Sequence, residues 1–115
     1  MSPLYAIRPE AVAIIDAADK PAILDRLSHT FAQSWGLDAA LVHEQLEERE
    51  RLGSTGFGRG VALPHARIEG LTRPVAALPK LARPVEFASA DRMPVDLAIG
   101  LLSPVNAGAT HLHAL

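Results

Sequence analysis

Apolar residues return every three or four positions through the first half of this chain and gather into short unbroken runs through the second. Ile23, Leu24, Leu27 and Phe31 recur at the spacing of one helix face. Asp19 stands at the N-cap position, Pro21 in the first turn and Gly36 at the stop, each suited to its place. Asp38 opens a second helix that should run to about Leu52 and stop at Gly53. Val42 and Leu46 mark its apolar face, and Glu44, Glu47, Glu50 and Arg51 are assigned to its outer face.

The runs that follow read as strands. Ala11–Ile15, ahead of the helices, is a strand or an extended entry, and the glycine-rich stretch Ser54–Gly60 is a loop. Val61–Leu63 is a short buried strand closed by Pro64. Val75–Leu81 is another, with Pro79 arguing for an edge or a bend. Pro94–Leu102 is a continuous apolar run broken only by Asp96, the strongest strand signal in the chain. Pro104–Ala109 is a loop, and Thr110 caps a third helix that the chain barely begins. The pattern predicts an α/β fold, a mixed β-sheet flanked by helices, as one domain over residues 1–115 with its C-terminal helices apparently truncated. The first two helices cover one sheet face. The other face of Pro94–Leu102 is expected to lie open, and an open apolar face drives association, so a homodimer or further residues past Leu115 should close it.

Composition narrows the classes. The length of 115 residues with 49% apolar residues suits one domain with a real core. The net charge of −2 and the lack of a basic run argue against nucleic acid. The absence of cysteine excludes disulfides, a thiol nucleophile and cysteine-ligated zinc, and agrees with a cytoplasmic location. The opening MSPLYAIRPE lacks the basic-then-apolar pattern of a signal peptide, and no apolar stretch reaches the length of a membrane span.

Several residues could carry chemistry. His65 follows Pro64 at the carboxyl end of a predicted strand, where ligand sites of α/β sheets gather. It is either a turn histidine or a nucleophilic imidazole held in a fixed direction. Arg49 falls in helical phase with Val42 and Leu46. It either snorkels at the helix end, pairs with Glu48 or Glu50, or points a phosphate-binding fork into a pocket. Ser54–Gly60 is a tight irregular turn or an anion-binding nest; it lacks the Lys-hydroxyl ending of a nucleotide P-loop and precedes a strand rather than a helix. His111 and His113 resemble half a metal site with His65 as a third ligand, but residues two apart on a helix do not face one ion. Asp91 belongs in a turn, and Asp96 points away from Val95 and Leu97, so a hydrolytic carboxylate pair has little support.

Taken together, Arg49-Glu50-Arg51-Leu52-Gly53-Ser54-Thr55-Gly56-Phe57-Gly58 and Gly60-Val61-Ala62-Leu63-Pro64-His65 resemble the active-site signature of IIA domains of the bacterial phosphotransferase system, of the fructose, mannitol and nitrogen-regulatory type. Pro84-Val85-Glu86-Phe87, the stretch from Asp91 to Asp96, and His111-Leu112 match in order and spacing. The Leu52–Gly56 wording resembles the nitrogen-regulatory branch. The resemblance implies a phosphoryl carrier phosphorylated on His65, with Arg49 as a phosphate-stabilising cation and His111 as a second active-site histidine. It implies the histidine-containing phosphocarrier protein as donor and a IIB domain, a kinase or a transporter as target. No cofactor or metal is implied. Three functions follow for comparison: a regulatory phosphoprotein, a sugar-uptake component passing phosphate to a IIB domain, and a metal hydrolase using His65, His111 and His113.

Overall fold

The computed structural model describes residues 6–89 and 91–105. The chain opens with β1 (Ala6–Ile7), a 3₁₀ turn at Pro9–Ala11 and β2 (Ile14–Ile15), followed by α1 (Lys20–Trp35) and α2 (Ala39–Arg51). The strands β3 (Gly56–Gly58), β4 (Val61–Ala62), β5 (His65–Ile68), β6 (Val75–Ala77), β7 (Lys80–Val85), β8 (Val95–Ala98) and β9 (Gly100–Pro104) complete it.

Local chemistry accounts for the helices. The Asp19 carboxylate accepts from the Ala22 amide at 2.9 Å, and Asp38 accepts from Ala40 at 3.0 Å, so both helices start on a side-chain cap. Gly36 closes α1 in the left-handed region at φ +68, where a side chain would be strained. Ile23, Leu24, Leu27 and Phe31 are buried, as are Val42 and Leu46. The two helices pack on each other, and α2 lies along β5.

The strands form two mixed sheets, ordered β1-β6-β9-β5 and β2-β7-β8-β4-β3. The runs expected as single strands are divided between them. Val75–Leu81 breaks at Leu78-Pro79 into β6 and β7, and Pro94–Leu102 breaks at Ile99 into β8 and β9. Likewise Leu63-Pro64 separates β4 from β5. These breaks are neighbours in space. The Ile99 amide donates to Ala62 O, Leu101 to Pro64 O and Ala98 to Pro79 O, so one seam crosses the adjacent chains where two prolines withhold ladder donors. Ala11–Ile15 resolves into the end of the 3₁₀ turn and β2, with Ala11 O and Ala13 O accepting from Leu78 and Lys80 along the same line.

Two further expectations change. Ser54–Gly60 is not all loop, because Gly56–Gly58 pairs with Val61–Ala62 as an antiparallel hairpin. The face expected to lie open at Pro94–Leu102 is not displayed: Leu101 and Ala76 are buried there, with Leu78 and Ile99 partly buried against them. Along the run Val95, Ala98 and Leu102 join the main core, while Leu101 joins Ala76 in a second, smaller cluster. On the helix side Gly100 allows α1 to approach closely. A Cβ there would lie 2.8 Å from Leu27 Cδ2 and 3.2 Å from Phe31 Cε2. The third helix expected from Thr110 lies outside the described residues.

Candidate functional site

His65 follows the predicted strand end at Pro64, but it opens a strand of its own as the first residue of β5, immediately past the seam. It pairs in parallel register with Leu101, and Pro64 before it is fully buried. The side chain is therefore aimed by a strand on one side and a proline on the other. The ring Nδ1 lies 2.8 Å from the carbonyl oxygen of Leu63. A carbonyl only accepts, so Nδ1 carries the proton and Nε2 carries the lone pair.

Arg49 meets that lone pair. Its Nε donates to His65 Nε2 at 3.2 Å, and Nη1 donates to the Gly53 carbonyl at 2.8 Å. The second bond ties the guanidinium across the end of α2. Neither neighbouring glutamate takes it: Glu48 pairs with Arg51 at 2.7 Å and Glu50 with Lys20 at 3.0 Å. Burial chiefly, with the Arg49 charge adding to it, holds His65 below the ordinary histidine value; the Leu63 carbonyl and Glu50 oppose the shift. The imidazole is thus neutral at neutral pH, the form that a nucleophile requires.

Two hollows open beside this pair. One of about 300 Å³ lies between α2 and β5, lined by Gln45, Glu48, Leu52, Ala66 and Arg67. The other, of about 260 Å³, lies on the hairpin side, lined by Ser54, Thr55, Gly56, Phe57 and Leu63. Arg49 and His65 are common to both. Leu52 and Phe57, one at each hollow, are 78% and 71% exposed, so the approach to His65 is flanked by apolar side chains.

Three amides of the glycine-rich stretch are spent on the protein itself. Thr55 N donates to Glu50 Oε2, Gly56 N to Ser54 Oγ and Arg59 N to Asp91 Oδ2. Asp91 also accepts from Met93 N, and these two backbone bonds hold its carboxyl below the usual range. Asp91 therefore caps the turn, and the hairpin acts as a positioning element. Asp96 is exposed and 4.0 Å from Lys80.

Glu50 is the residue that sequence reasoning misplaced. It is buried rather than outward, accepting from Thr55 N at 2.7 Å, from the Thr55 hydroxyl and from Lys20. The signal was present: Glu50 follows Leu46 by four residues and Val42 by eight, the spacing of the buried face. His111 and His113 lie outside the described residues. Among the described residues no cluster of three His, Cys, Asp or Glu side chains is placed to hold a metal, and no helix is long and apolar enough to cross a membrane.

The sequence model of the family described as "Phosphoenolpyruvate-dependent sugar phosphotransferase system, EIIA 2" matches residues 6–115. A nitrogen regulatory protein of Pseudomonas aeruginosa is 39% identical over 102 residues, covering 88% of this chain and 66% of that protein. One of Bradyrhizobium diazoefficiens is 39% identical over 110 residues, covering 95% and 72%. The chain thus spans about two thirds to three quarters of the length of these relatives. The crystal structure of nitrogen regulatory protein IIA-Ntr from Neisseria meningitidis superposes with a TM-score of 0.87 at 33% identity, covering 93% of this chain and 74% of that one.

Proposed function

Because the chain belongs to the EIIA 2 family of the phosphoenolpyruvate-dependent sugar phosphotransferase system, we propose that it carries a phosphoryl group on Nε2 of His65, received from the histidine-containing phosphocarrier protein. The observation that carries this reading is the orientation of one ring. Nδ1 is committed to the Leu63 carbonyl, and Nε2 faces the Arg49 guanidinium between two open hollows.

The step needs little covalent help from the protein. The Nε2 lone pair attacks phosphorus, the donor's P–N bond breaks, and its electron pair returns to the donor imidazole. His65 keeps the Nδ1 proton, so its ring becomes cationic, balanced by the Leu63 carbonyl and the nearby Glu50 charge. Arg49 leaves Nε2 for the phosphoryl oxygens, where a planar fork suits the developing charge. His111, placed in the signature by resemblance, is proposed as a second donor to those oxygens. No metal or nucleotide enters this scheme.

The regulatory use of the phosphate is favoured by relatives named nitrogen regulatory protein. In that reading the phosphorylation state is the signal, the targets are kinases or transporters, and the setting is the cytoplasm. The test is incubation with phosphoenolpyruvate, enzyme I and the phosphocarrier protein, followed by intact mass and site mapping. An acid-labile, base-stable label on His65 is expected, and His65→Ala should abolish it. Labelling of His111 in that variant would refute the assignment.

A further inference from the structure

The carboxylate of Glu50 sits at one end of a chain of contacts whose other end is the ring of His65. Its side chain is 6% exposed, and an ionised group so placed is costly unless its acceptor sites are filled. They are filled from two elements. Lys20, at the start of α1, donates at 3.0 Å, and Thr55, across the α2–β3 corner, donates through its amide and its hydroxyl. The ammonium of Lys20 also lies 4.6 Å from the centroid of the buried Phe87 ring, so this corner is locked from both sides.

The chain continues through the backbone. Thr55 O accepts the amide of Leu63 at 2.9 Å, and Leu63 O faces Nδ1 of His65 at 2.8 Å. Leu63 is thus gripped by Thr55 through its amide and by the rigid ring of Pro64 after it. Where Thr55 stands decides where the Leu63 carbonyl points. That carbonyl can only accept, so it favours the proton on Nδ1, as Arg49, which can only donate, does from the Nε2 side.

We infer that Glu50 is a positioning residue for His65, fixing its Nδ1–H tautomer through Thr55 and the Leu63 carbonyl so that Nε2 is the nitrogen offered for reaction. The tautomer is a property of the resting protein; its consequence for phosphoryl transfer rests on the function proposed above. A carboxylate that merely closed the corner between α2 and the hairpin would influence folding without influencing the ring.

The experiment is long-range ¹H–¹⁵N correlation NMR of the ¹⁵N-histidine-labelled chain, which reads protonation at each ring nitrogen above the titration range. The unsubstituted protein should show His65 almost wholly as the Nδ1–H form. Arg49 also holds Nε2 as an acceptor, so the tautomer is read with Arg49→Gln as the reference chain. There, adding Glu50→Ala removes the tether and should let the ring relax to a mixture, lowering the Nδ1–H fraction by about twofold or more. Phosphorylation is read on chains that keep Arg49. Glu50→Gln keeps an oxygen for Thr55 N and Lys20 while its amide group faces the Thr55 hydroxyl, so the reference pattern should return. Glu50→Leu, which fills a similar volume and likewise removes the tether, repeats the test if Glu50→Ala unfolds. A folded variant of the reference chain that lacks the tether and keeps the Nδ1–H form overturns the inference. Phosphorylation is measured in parallel: a tautomer shift in a chain that accepts no phosphate leaves the positioning role standing and removes the proposed function instead.

Discussion

Replacing Arg49 with glutamine separates the reactive role of the guanidinium from its structural one. In the resting protein the substitution removes the 3.2 Å contact to His65 Nε2 and the 2.8 Å bond to Gly53 O. The second bond is solvent-exposed, and a bond of that kind contributes about 1 kcal/mol or less to stability. At the phosphoryl group the loss is larger, because hydrogen bonds to charged groups are worth about 1.5–3 kcal/mol. With about 1.4 kcal/mol per decade, transfer to Arg49→Gln should slow by roughly 10- to 100-fold. Arg49→Lys should fall between, since an ammonium keeps the charge without the fork. The assay is the rate of His65 phosphorylation under limiting phosphocarrier protein, read by intact mass on quenched samples. NMR titration should show the His65 pKa rising, because the Arg49 charge is one of the causes that hold it down. A glutamine variant transferring within twofold of the unsubstituted rate would refute the role given to Arg49.

The histidine also leaves a mark on stability. His65 is depressed in the folded state, so between its folded value and the unfolded value of about 6.5 the unfolded chain binds more protons, and stability rises with pH. Asp16 and Asp91, depressed by Arg83 and by backbone donors respectively, add slopes of the same sign at lower pH. His65→Gln should therefore flatten the difference in urea midpoint between about pH 7.5 and about pH 5 without abolishing it; an unchanged difference would contradict the burial of the ring. Gly100→Ala should destabilise by about 1–3 kcal/mol, because its Cβ meets Leu27 and Phe31. A melting temperature lowered by about 4 °C or more is expected by calorimetry, and an unchanged one would show that α1 yields freely.

The helices were legible because their signals are local. Asp19, Gly36 and Asp38 act within a turn of where they stand; phase put Arg49 on the apolar face of its helix, and the family resemblance, not phase, aimed it at the phosphate site. The division of the strands was not legible to the same degree. Pro64 and Pro79 announce two of the breaks, whereas in the run from Pro94 to Leu102 only Gly100, beside Ile99, hints at one. Its position follows from the neighbours, since the amides of Ile99 and Leu101 must find Ala62 and Pro64. Glu50 was hidden for a different reason. Charge argued for solvent and spacing argued for the interior, and its partners Lys20 and Thr55, which make burial tolerable, are 30 residues and 5 residues away in the chain.

The seam also sets which changes of chain length this domain can absorb. Side chains on a strand alternate between faces, so inserting or deleting one residue reverses everything beyond it. Between Ala62 and His65 only Leu63 and Pro64 intervene, and both are tied, one to Thr55 and one to Leu101. A single-residue insertion there would carry His65 to the opposite face and leave Arg49 facing the wrong side chain. At the other end of the same hairpin, the turn at Arg59 is held by Asp91 from outside, and an added residue would be taken up in solvent. Length variation among relatives is therefore expected to collect around residue 59 and to be absent from residues 62–65.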